Sequence, residues 1–409
     1  MIPARLQRLS TKAVCLFALA LLLFGLRCRP AEQALPHTST LPGLEDSPFS
    51  YAAPEEVGLD HRKLRTLMDS VGHWAADGDI VGAEVMLVSK GRIVLHETVG
   101  WSDREEKRPL ERNSIFNMRS MSKPFLGASI LMLREEGKLS IDDPVARYLP
   151  AFDNERSKEI TIRHLLTHTA GYTAEGFARP RKTYSTLRAV VDDVGLQGPQ
   201  FPPGERYRYS DVSSSVLGAI ISEVSGMPVA RFIEQRILAP LHLSDTHTEF
   251  RNDAPWAGRV NSHYTWSAEE GDFKKFWDYR QAPLWTYYRA SAGLYSTVFD
   301  YALFLDCWMR KGERQGVRLL SAGSVEEALR PYAGDRYGFQ WFVAPGPIAD
   351  GMPLHFGHFG SDGALAIAFP EPEVMLFYFT QSRNHHRIGR FIEVFNELEI
   401  LSSPIDLQF

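Results

Sequence analysis

The order of the predicted secondary-structure elements is the sequence feature that most constrains the fold of this chain. Apolar, β-branched runs bounded by turn signals predict a hairpin at 81–87 and 93–99 near one end, and strands at 365–369 and 374–380 near the other. The segment between them reads as helices and loops rather than as the regular strand–helix alternation of a doubly wound parallel sheet. This order predicts an α+β fold: an antiparallel sheet built from both ends of the chain and flanked by helices, with an inserted, mostly helical subdomain.

Capping and stop signals locate the helices. Asp60 is a suitable N-cap for a helix that reaches about residue 76, and the apolar stretch 120–136, which Gly137 ends, predicts a buried central helix. The other predicted elements are helices at 160–167, 212–224, 228–238, 300–309 and 388–398, and a strand at 337–343. A cleft between the sheet and the helical part is the natural position for a site.

The first 30 residues differ from the rest of the chain. Arg5, Arg8 and Lys12 precede the uncharged apolar run 13–26, an arrangement typical of a secretory signal peptide or an N-terminal membrane anchor. Cys28 is a candidate lipid-attachment cysteine, although the arginine before it fits that signal poorly. We therefore expect an exported protein, either periplasmic or held at a membrane through its N-terminus or as a lipoprotein.

Residues 31–55 hold spaced prolines among serines and threonines, which predicts a flexible linker and places the folded domain at 56–400. Cys15, Cys28 and Cys307 are the only cysteines, so the sequence predicts neither a disulfide framework nor a cysteine-held metal. With 409 residues, 44% of them hydrophobic, the chain can form one large domain or two closely packed ones.

Charge and motif content argue against several classes of partner. The net charge is −5 and no basic stripe is present, so we expect no nucleic-acid partner. No phosphate-binding or dinucleotide glycine loop occurs, and no cofactor is predicted. His164 and His168, four residues apart on a predicted helix, could face one metal ion, but the glutamate of an H-E-x-x-H site is missing and we expect no metal.

Ser120 and Lys123 form an S-x-x-K pair at the start of the predicted central helix. Residues three apart on a helix share a face, so the lysine can reach the serine hydroxyl and act on its proton if its own charge is disfavoured. A pair of this kind also arises by chance in a chain of this length.

Two further segments give the pair its context. Tyr209-Ser210-Asp211 precedes the helix at 212–224, and His358-Phe359-Gly360-Ser361 precedes the strand at 365–369. Together with Ser120 and Lys123, and with linking segments such as 137–145 and 162–171, they resemble the serine β-lactamase and penicillin-binding-protein superfamily over roughly 55–395. The resemblance is to its class C-like branch, which includes esterases and D-aminopeptidases. The fold of that superfamily, β-lactamase/transpeptidase-like, agrees with the element order.

The resemblance implies a role for each matching residue. Ser120 would be the nucleophile of an acyl-enzyme, and Lys123 would shuttle its proton. Tyr209 would assist as base and then protonate the leaving group, provided that nearby cations such as Lys123 bring its pKa down. The backbone N–H groups of Ser120 and Ser361 would form the oxyanion hole. Asp211, His358 and Gly360 would contact the substrate.

Two positions depart from the β-lactamase pattern. His358 stands where lysine is usual and would titrate near pH 6.5 rather than carry a permanent charge. Asp211 stands where asparagine is usual, and an ionised carboxylate cannot donate to a substrate carbonyl. Both changes favour a small ester, amide or peptide as substrate over a β-lactam.

Other interpretations stay open. A β-lactamase or D-Ala-D-Ala carboxypeptidase is one, and a non-catalytic receptor for peptidoglycan or a partner on the same fold is another. The G-x-S-x-G elbow of the α/β-hydrolases does not occur, which argues against that esterase fold. The aromatic-rich stretch between 250 and 290 predicts either packing and loop anchoring or a wall that faces the substrate.

Overall fold

The computed structural model describes residues 37–38, 49–174, 176–177, 180–334, 336–344 and 350–406, and all of them belong to one compact unit, Pro36–Phe409. The predicted leader at 1–30, Cys28 and most of the predicted linker lie outside the described residues. The domain boundaries and the export signal therefore stay predictions.

The described strands are numbered in chain order: β1 His37–Thr38, β2 Ser50–Tyr51, β3 Gly82–Ser89, β4 Arg92–Asp103, β5 Arg108–Pro109, β6 Phe116–Asn117, β7 His263–Ser267, β8 Asp272–Trp277, β9 Tyr295–Ser296, β10 Glu313–Arg314, β11 Val317–Arg318, β12 Phe342–Val343, β13 Phe356–Phe359, β14 Leu365–Phe369, β15 Val374–Thr380 and β16 Ser382–Arg383. The described α-helices are α1 His61–Ala76, α2 Lys123–Glu135, α3 Ile162–Leu166, α4 Leu187–Gln197, α5 Asp211–Ser225, α6 Val229–Ile233, α7 Val298–Met309, α8 Ala322–Ala328 and α9 Ile388–Glu397.

The main sheet joins the two ends of the chain, as predicted. Its order is β1-β4-β3-β15-β14-β13-β12, with β2 and β5 also paired to β4. The neighbours along this order are antiparallel, and β3 pairs with β15 in the register that sets Met86 opposite Phe377. Lys90 and Gly91 adopt the positive φ angles that a tight hairpin turn between β3 and β4 requires. The prediction of an α+β fold with an antiparallel sheet is confirmed.

Helices cover both faces of this sheet. Successive side chains of a strand point to opposite faces. On β15, Tyr378 stacks on Phe391 of α9, while Phe379 meets Tyr301 of α7 edge to face. Because both faces are covered, every residue of β3, β14 and β15 is buried. These strands therefore read as continuous apolar runs rather than as an alternating pattern.

The helical insert is organised around α2 and α5. The first eleven residues of α2 are buried, as its nearly all-apolar sequence predicts. It packs against α5, which also contacts α3 and α4. The N-caps follow the sequence signals: the Asp60 side chain caps α1 and the Ser210 side chain caps α5. Within the described ranges no single helix could span a membrane; α5 with the following 229–238 segment meets the length and apolarity criteria only as a pair bent by 76°.

The predicted strand at 337–343 is wrong for most of its length, since only Phe342–Val343 is a strand. A close backbone approach and a left-handed residue interrupt the predicted strand. A Cβ on Gly338 would lie 2.1 Å from the carbonyl oxygen of Ala328, and Gln340 adopts a φ of 62°. The Gln340 side chain then donates to the carbonyl oxygens of Leu165 and Leu166 at the end of α3. The segment is held by tertiary contacts that its strand-like composition does not reveal.

Candidate active site

Ser120 lies in a short 3-10 turn, Arg119–Ser122, between β6 and α2. Arg119 adopts a φ of 48°. The backbone N–H of Arg119 donates a hydrogen bond to the side-chain oxygen of Asn117 at 3.1 Å. A non-glycine residue with positive φ is uncommon and costs free energy. The tight turn leaves Ser120 partly exposed, while its neighbours Met121 and Ser122 are buried.

Lys123 begins α2, and its side chain is 0% exposed. Its ammonium nitrogen, Nζ, lies 3.1 Å from Ser120 Oγ, 2.8 Å from Asp211 Oδ1 and 3.2 Å from the carbonyl oxygen of Ser291. An ammonium group has three N–H donors, and three acceptors are in place for them. The S-x-x-K pair is therefore a direct contact, in the resting form in which the lysine donates to the serine.

Tyr209 completes the group around Ser120. Lys123 Nζ lies 4.7 Å from the centre of its ring. Its hydroxyl is buried, and no donor or acceptor in the described residues meets hydrogen-bond geometry with it, although Ser120 is near enough to lower its pKa. Burial, and then the charge of Asp211, outweigh that effect and raise the pKa of Tyr209 well above its ordinary value of 10.0. The expectation that cations lower this pKa is wrong, because desolvation dominates; Tyr209 is a neutral phenol at neutral pH.

Asp211 links Lys123 to a residue that the sequence analysis missed. Its Oδ1 accepts from Lys123, and its Oδ2 accepts from Arg289 Nη2 at 3.3 Å. The Arg289 guanidinium in turn lies 4.2 Å from the centre of the Trp285 ring. Arg289 comes from the aromatic-rich stretch, and no spacing rule connects that stretch to the start of α5. The carboxylate that replaces the usual asparagine is thus shared between two cations.

Ser361 follows the end of β13 and is exposed in the same cavity as Ser120. Gly360 allows the segment that carries Ser361 to lie close to the turn that carries Ser120. Any larger residue would clash, because a Cβ at this position would lie 2.6 Å from the carbonyl oxygen of Met118. A buried ion pair also joins the two segments: Arg119 Nε donates to Asp362 Oδ2 at 2.6 Å. The turn that carries Ser120 and the turn that carries Ser361 are therefore held together by a glycine contact and by a charge pair.

His358 is placed differently from the expectation that it would contact substrate. Its side chain is 0% exposed and does not line the cavity; its ring packs against Phe342 and Tyr209. Nδ1 accepts from the Phe359 N–H at 2.9 Å, and in the described part of the chain Nε2 has no partner. Burial, assisted by the Lys123 charge, lowers the pKa of His358 to about 3. The expectation that His358 titrates near pH 6.5 is wrong, because its ring is buried away from water. His358 is therefore neutral where it packs against Tyr209.

His168 supports Tyr209 from another side and does not form a metal pair with His164. Its Nδ1 accepts from the Ser210 N–H at 3.3 Å, so Nε2 carries the proton and donates to the Tyr337 hydroxyl at 3.2 Å. His164 instead caps the start of its own helix by accepting from the Thr161 N–H. Among the described side chains, the group spaced closely enough to share a metal is Glu55, Asp60 and His61, at the start of α1.

Ser120 opens into a cavity of about 410 Å³, called here the Ser120 cavity, whose lining also includes Tyr209, Asp211 and Ser361. The cationic side chains of this lining are Arg119, Lys182, Arg289 and Arg383, against the single carboxylate of Asp211. Arg119 and Arg383 are partly balanced by Asp362, which lies 3.7 Å from Arg383. The wall therefore carries an excess of positive charge.

The chain is similar to known proteins in both sequence and structure. The chain matches the family model for Beta-lactamase over residues 61–395. It is 28% identical to penicillin-binding protein 4* of Bacillus subtilis over 373 residues, which are 85% of this chain and 77% of that protein.

Solved structures of the same fold include two with printed activities. EstCE1, a hydrolase with promiscuous acyltransferase activity, superposes with a TM-score of 0.71 at 22% identity, covering 83% of this chain and 99% of that one. The D-amino acid amidase of Ochrobactrum anthropi superposes with a TM-score of 0.64 at 20% identity, covering 82% and 99%. At these identities the two structures bear on the fold alone. The family match and the shared fold confirm the resemblance inferred from the motifs: this chain belongs to the Beta-lactamase family of serine hydrolases, which has the fold of the penicillin-binding proteins.

Proposed function

We propose that this protein is a hydrolase that acts through an acyl-enzyme on Ser120, and that its substrates are esters or small amides. The observation that carries this proposal is the contact of 3.1 Å between Lys123 Nζ and Ser120 Oγ, with Tyr209 beside both. A serine hydroxyl becomes a useful nucleophile only when a group within hydrogen-bond reach can take its proton.

In the resting site, neither Lys123 nor Tyr209 can accept the proton of Ser120, because both side chains are protonated. Lys123 donates to three acceptors, and Tyr209 is neutral because its pKa is raised. The pair must lose one proton before it can accept the proton of Ser120. Once that proton is lost, Ser120 Oγ bonds to the substrate carbonyl carbon while its own proton passes to Lys123 or Tyr209.

Three events complete the proposed reaction: formation of the oxyanion, departure of the leaving group and hydrolysis of the acyl-enzyme. The carbonyl oxygen becomes an oxyanion, for which the backbone N–H groups of Ser120 and Ser361 are the proposed donors. The bond to the leaving group then breaks, and Tyr209 returns the proton to that group. Water then bonds to the carbonyl carbon of the Ser120 ester and gives a proton to Lys123 or Tyr209. The bond to Ser120 Oγ breaks, Oγ takes that proton back, and the acid is released.

The preference for esters or small amides rests on Asp211 and His358. The carboxylate oxygens of Asp211 accept hydrogen bonds from Lys123 and Arg289. An ionised carboxylate has no hydrogen to donate, so Asp211 cannot donate to a substrate amide carbonyl. His358 is neutral and buried, so it supplies no charge for a substrate carboxylate. Both features differ from what a β-lactam would require of these positions.

A second candidate is a carboxypeptidase or β-lactamase activity. The specific observation in its favour is the cationic wall of the Ser120 cavity, which offers Lys182, Arg289 and Arg383 to a carboxylate. The likeness to penicillin-binding protein 4* is consistent with this alternative. A third candidate, a receptor without catalysis, would leave the Lys123–Ser120 contact without a use.

A substrate panel separates these candidates. The purified chain and its Ser120→Ala variant would be assayed on p-nitrophenyl esters, D-amino-acid amides, a D-Ala-D-Ala peptide and nitrocefin. We expect esters or amides to be turned over at least a hundredfold faster than nitrocefin, with all turnover lost in Ser120→Ala. Efficient hydrolysis of nitrocefin or of the D-Ala-D-Ala peptide would instead support the second candidate, and a folded protein without turnover would support the receptor.

A further inference from the structure

A second cavity adjoins the Ser120 cavity. It encloses about 290 Å³, and we call it the aromatic cavity. The two cavities share Leu284, Trp285, Arg289 and Ala292 in their linings. These four side chains therefore stand between the space beside Ser120 and the aromatic cavity, and a substrate bound at Ser120 lies next to this boundary.

Five of the fourteen residues that line the aromatic cavity carry aromatic rings. Phe250, Trp285, Tyr287, Tyr288 and Tyr295 all contribute to it. Phe250 and Tyr295 are buried, with ring centres 5.7 Å apart, and form a fixed part of the wall. The charged side chains of this lining are Glu249 and Arg289, one of each sign, so the aromatic rings rather than a net charge would select the bound group, and they favour an apolar one. This wall shares Arg289 with the Ser120 cavity but lacks that cavity's excess of positive charge.

Two local features hold the cavity open and attach it to the nucleophile turn. Gly293 leaves space for the Tyr288 ring, since a Cβ there would lie 2.5 Å from that ring. Asn117 in the lining pairs with Tyr295 across β6 and β9, and its side chain accepts from the N–H of Arg119, next to Ser120. The cavity is thus joined by backbone pairing to the turn that carries Ser120.

The position of Tyr209 indicates which half of a substrate would enter. Tyr209 is proposed to protonate the leaving group, and it lines the Ser120 cavity but not the aromatic cavity; the same holds for Ser361. A leaving group in contact with Tyr209 therefore stays in the Ser120 cavity. On this arrangement the half of the substrate that reaches past Ala292 would be the acyl half.

We propose that the aromatic cavity is the acyl-binding pocket of this hydrolase, and that it selects acyl groups ending in an apolar chain or a phenyl ring. This inference rests on the proposed acyl-enzyme function. A cavity of about 150 Å³ is known to hold benzene. The aromatic cavity, at about 290 Å³, has room for a phenyl ring or for a chain of roughly six carbons.

Covalent labelling tests the pocket without the ambiguity of a large leaving group. In n-alkyl fluorophosphonates of two, four, six and eight carbons, Ser120 Oγ bonds to phosphorus as the P–F bond breaks and fluoride leaves. We expect the second-order labelling rate to rise roughly fourfold for each methylene buried, up to about six carbons. p-Nitrophenyl esters with varied acyl chains should follow the same order, whereas acetate esters with varied alcohols should not.

Matched variants locate the preference. Tyr287 lines the aromatic cavity and not the Ser120 cavity, and Tyr287→Ala should reduce the ratio of six-carbon to two-carbon labelling at least fivefold. Trp285→Ala is the second variant should Tyr287→Ala fail to fold. Phe276→Ala removes an aromatic side chain that lines only the Ser120 cavity and should leave that ratio within twofold.

The outcomes distinguish the two proposals. Labelling of Ser120 at rates independent of chain length, or a ratio that falls equally in Phe276→Ala, would overturn the acyl pocket and leave the hydrolase standing. Preference in the alcohol series rather than the acyl series would assign the cavity to the leaving group and overturn the inference. A folded protein that never labels at Ser120 would overturn the proposed function, and the pocket with it.

Discussion

The residues around Ser120 combine a buried cation with a hydroxyl that has no hydrogen-bond partner in the described structure. Lys123 is fully satisfied by Ser120, Asp211 and Ser291. The Tyr209 hydroxyl is buried beside it, and among the described residues it meets full hydrogen-bond geometry with no partner, although Ser120 is near enough to lower its pKa. An unsatisfied buried polar group costs about 1–3 kcal/mol, so its retention at this place is explained best by a chemical role.

That role gives the first prediction. Tyr209→Phe should keep the buried ring and lose the proton-transfer group, so turnover should fall about 10²- to 10⁴-fold while the free energy of unfolding stays equal or rises by about 1 kcal/mol. Ester hydrolysis and urea denaturation are the measurements. Tyr207→Phe, which alters a neighbouring ring outside the contact with Ser120, is the control. Turnover within tenfold of wild type would remove Tyr209 from the mechanism.

The charge of Asp211 gives the second prediction. It contributes to the raised pKa of Tyr209, and activity is expected to need a proton lost from the Lys123–Tyr209 pair. The rate constant kcat/KM should therefore rise towards alkaline pH, and the rise should move to lower pH in Asp211→Asn. Asp69→Asn, on an exposed face of α1, should leave the profile in place. An unchanged profile in Asp211→Asn, or a limb near pH 6.5 that His358→Gln removes, would contradict this account.

At this scale the sequence predicted which side chains meet but not their protonation states. Ser120, Lys123, Tyr209 and Asp211 are in contact, and Ser361 shares their cavity. The pKa values of Tyr209 and His358 depend on burial, which a motif does not encode. Arg289 was missed for a similar reason, because its link to Asp211 depends on the path of a long loop.

At the scale of elements, the site depends on how the nucleophile turn and the end of β13 are held together. Both Arg119 and Asp362 of the connecting ion pair are buried, with side chains 7% and 2% exposed. Removing one partner of a buried pair leaves an uncompensated charge, whereas replacing both by apolar groups is often tolerated. The Arg119–Asp362 pair is therefore expected to fix the position of the nucleophile turn relative to the end of β13 more than to raise the free energy of unfolding.

The third prediction follows from that asymmetry. Asp362→Ala should lower the free energy of unfolding by about 3 kcal/mol and slow the labelling of Ser120, while the double variant Arg119→Met, Asp362→Ala should recover part of the stability. Denaturation and labelling rates measure the two effects. Asp253→Ala, which breaks an exposed ion pair with Arg251, should cost less than about 1 kcal/mol. Equal losses in the buried and exposed variants would contradict the assignment.

Element boundaries were predictable where local signals and packing agree. Asp60 and Ser210 cap their helices as their residue types suggest, and the β3–β4 hairpin turns at Lys90-Gly91. The segment 337–341 was not predictable, because the left-handed Gln340 and its bonds to α3 override a strand-like composition. The hairpin of β7 and β8 was also missed, since its aromatic residues suit a wall or a strand equally well.

At the scale of the molecule, the fold buries several histidines away from water, both near Ser120 and elsewhere. Burial lowers the pKa of His263 and His358 to about 3 and of His355 to about 4, and it lowers that of His168 well below 6.5. In the unfolded chain these groups take up protons below about pH 6.5. The unfolded state therefore binds more protons than the folded state in acid.

The fourth prediction is the resulting loss of stability. Each such histidine should cost about 1.4 kcal/mol per pH unit between pH 6.5 and its folded pKa, so the free energy of unfolding should fall steeply from pH 6.5 to pH 4. Asp300, whose pKa burial raises to about 6, opposes this by taking up a proton in the folded state. Urea denaturation at several pH values, with His355→Gln as a variant that flattens the slope, is the test. Constant stability down to pH 4 would contradict it.

Ser120 is proposed to be an activated nucleophile, and active-site labelling is the most direct test of that role. The purified chain would be treated with a fluorophosphonate and analysed by intact-mass and peptide mass spectrometry. We predict a single adduct on the peptide that contains Ser120, absent in Ser120→Ala and formed at least a hundredfold more slowly in Lys123→Ala. A folded protein that carries no adduct, or an adduct on another residue that persists in Ser120→Ala, would contradict the account.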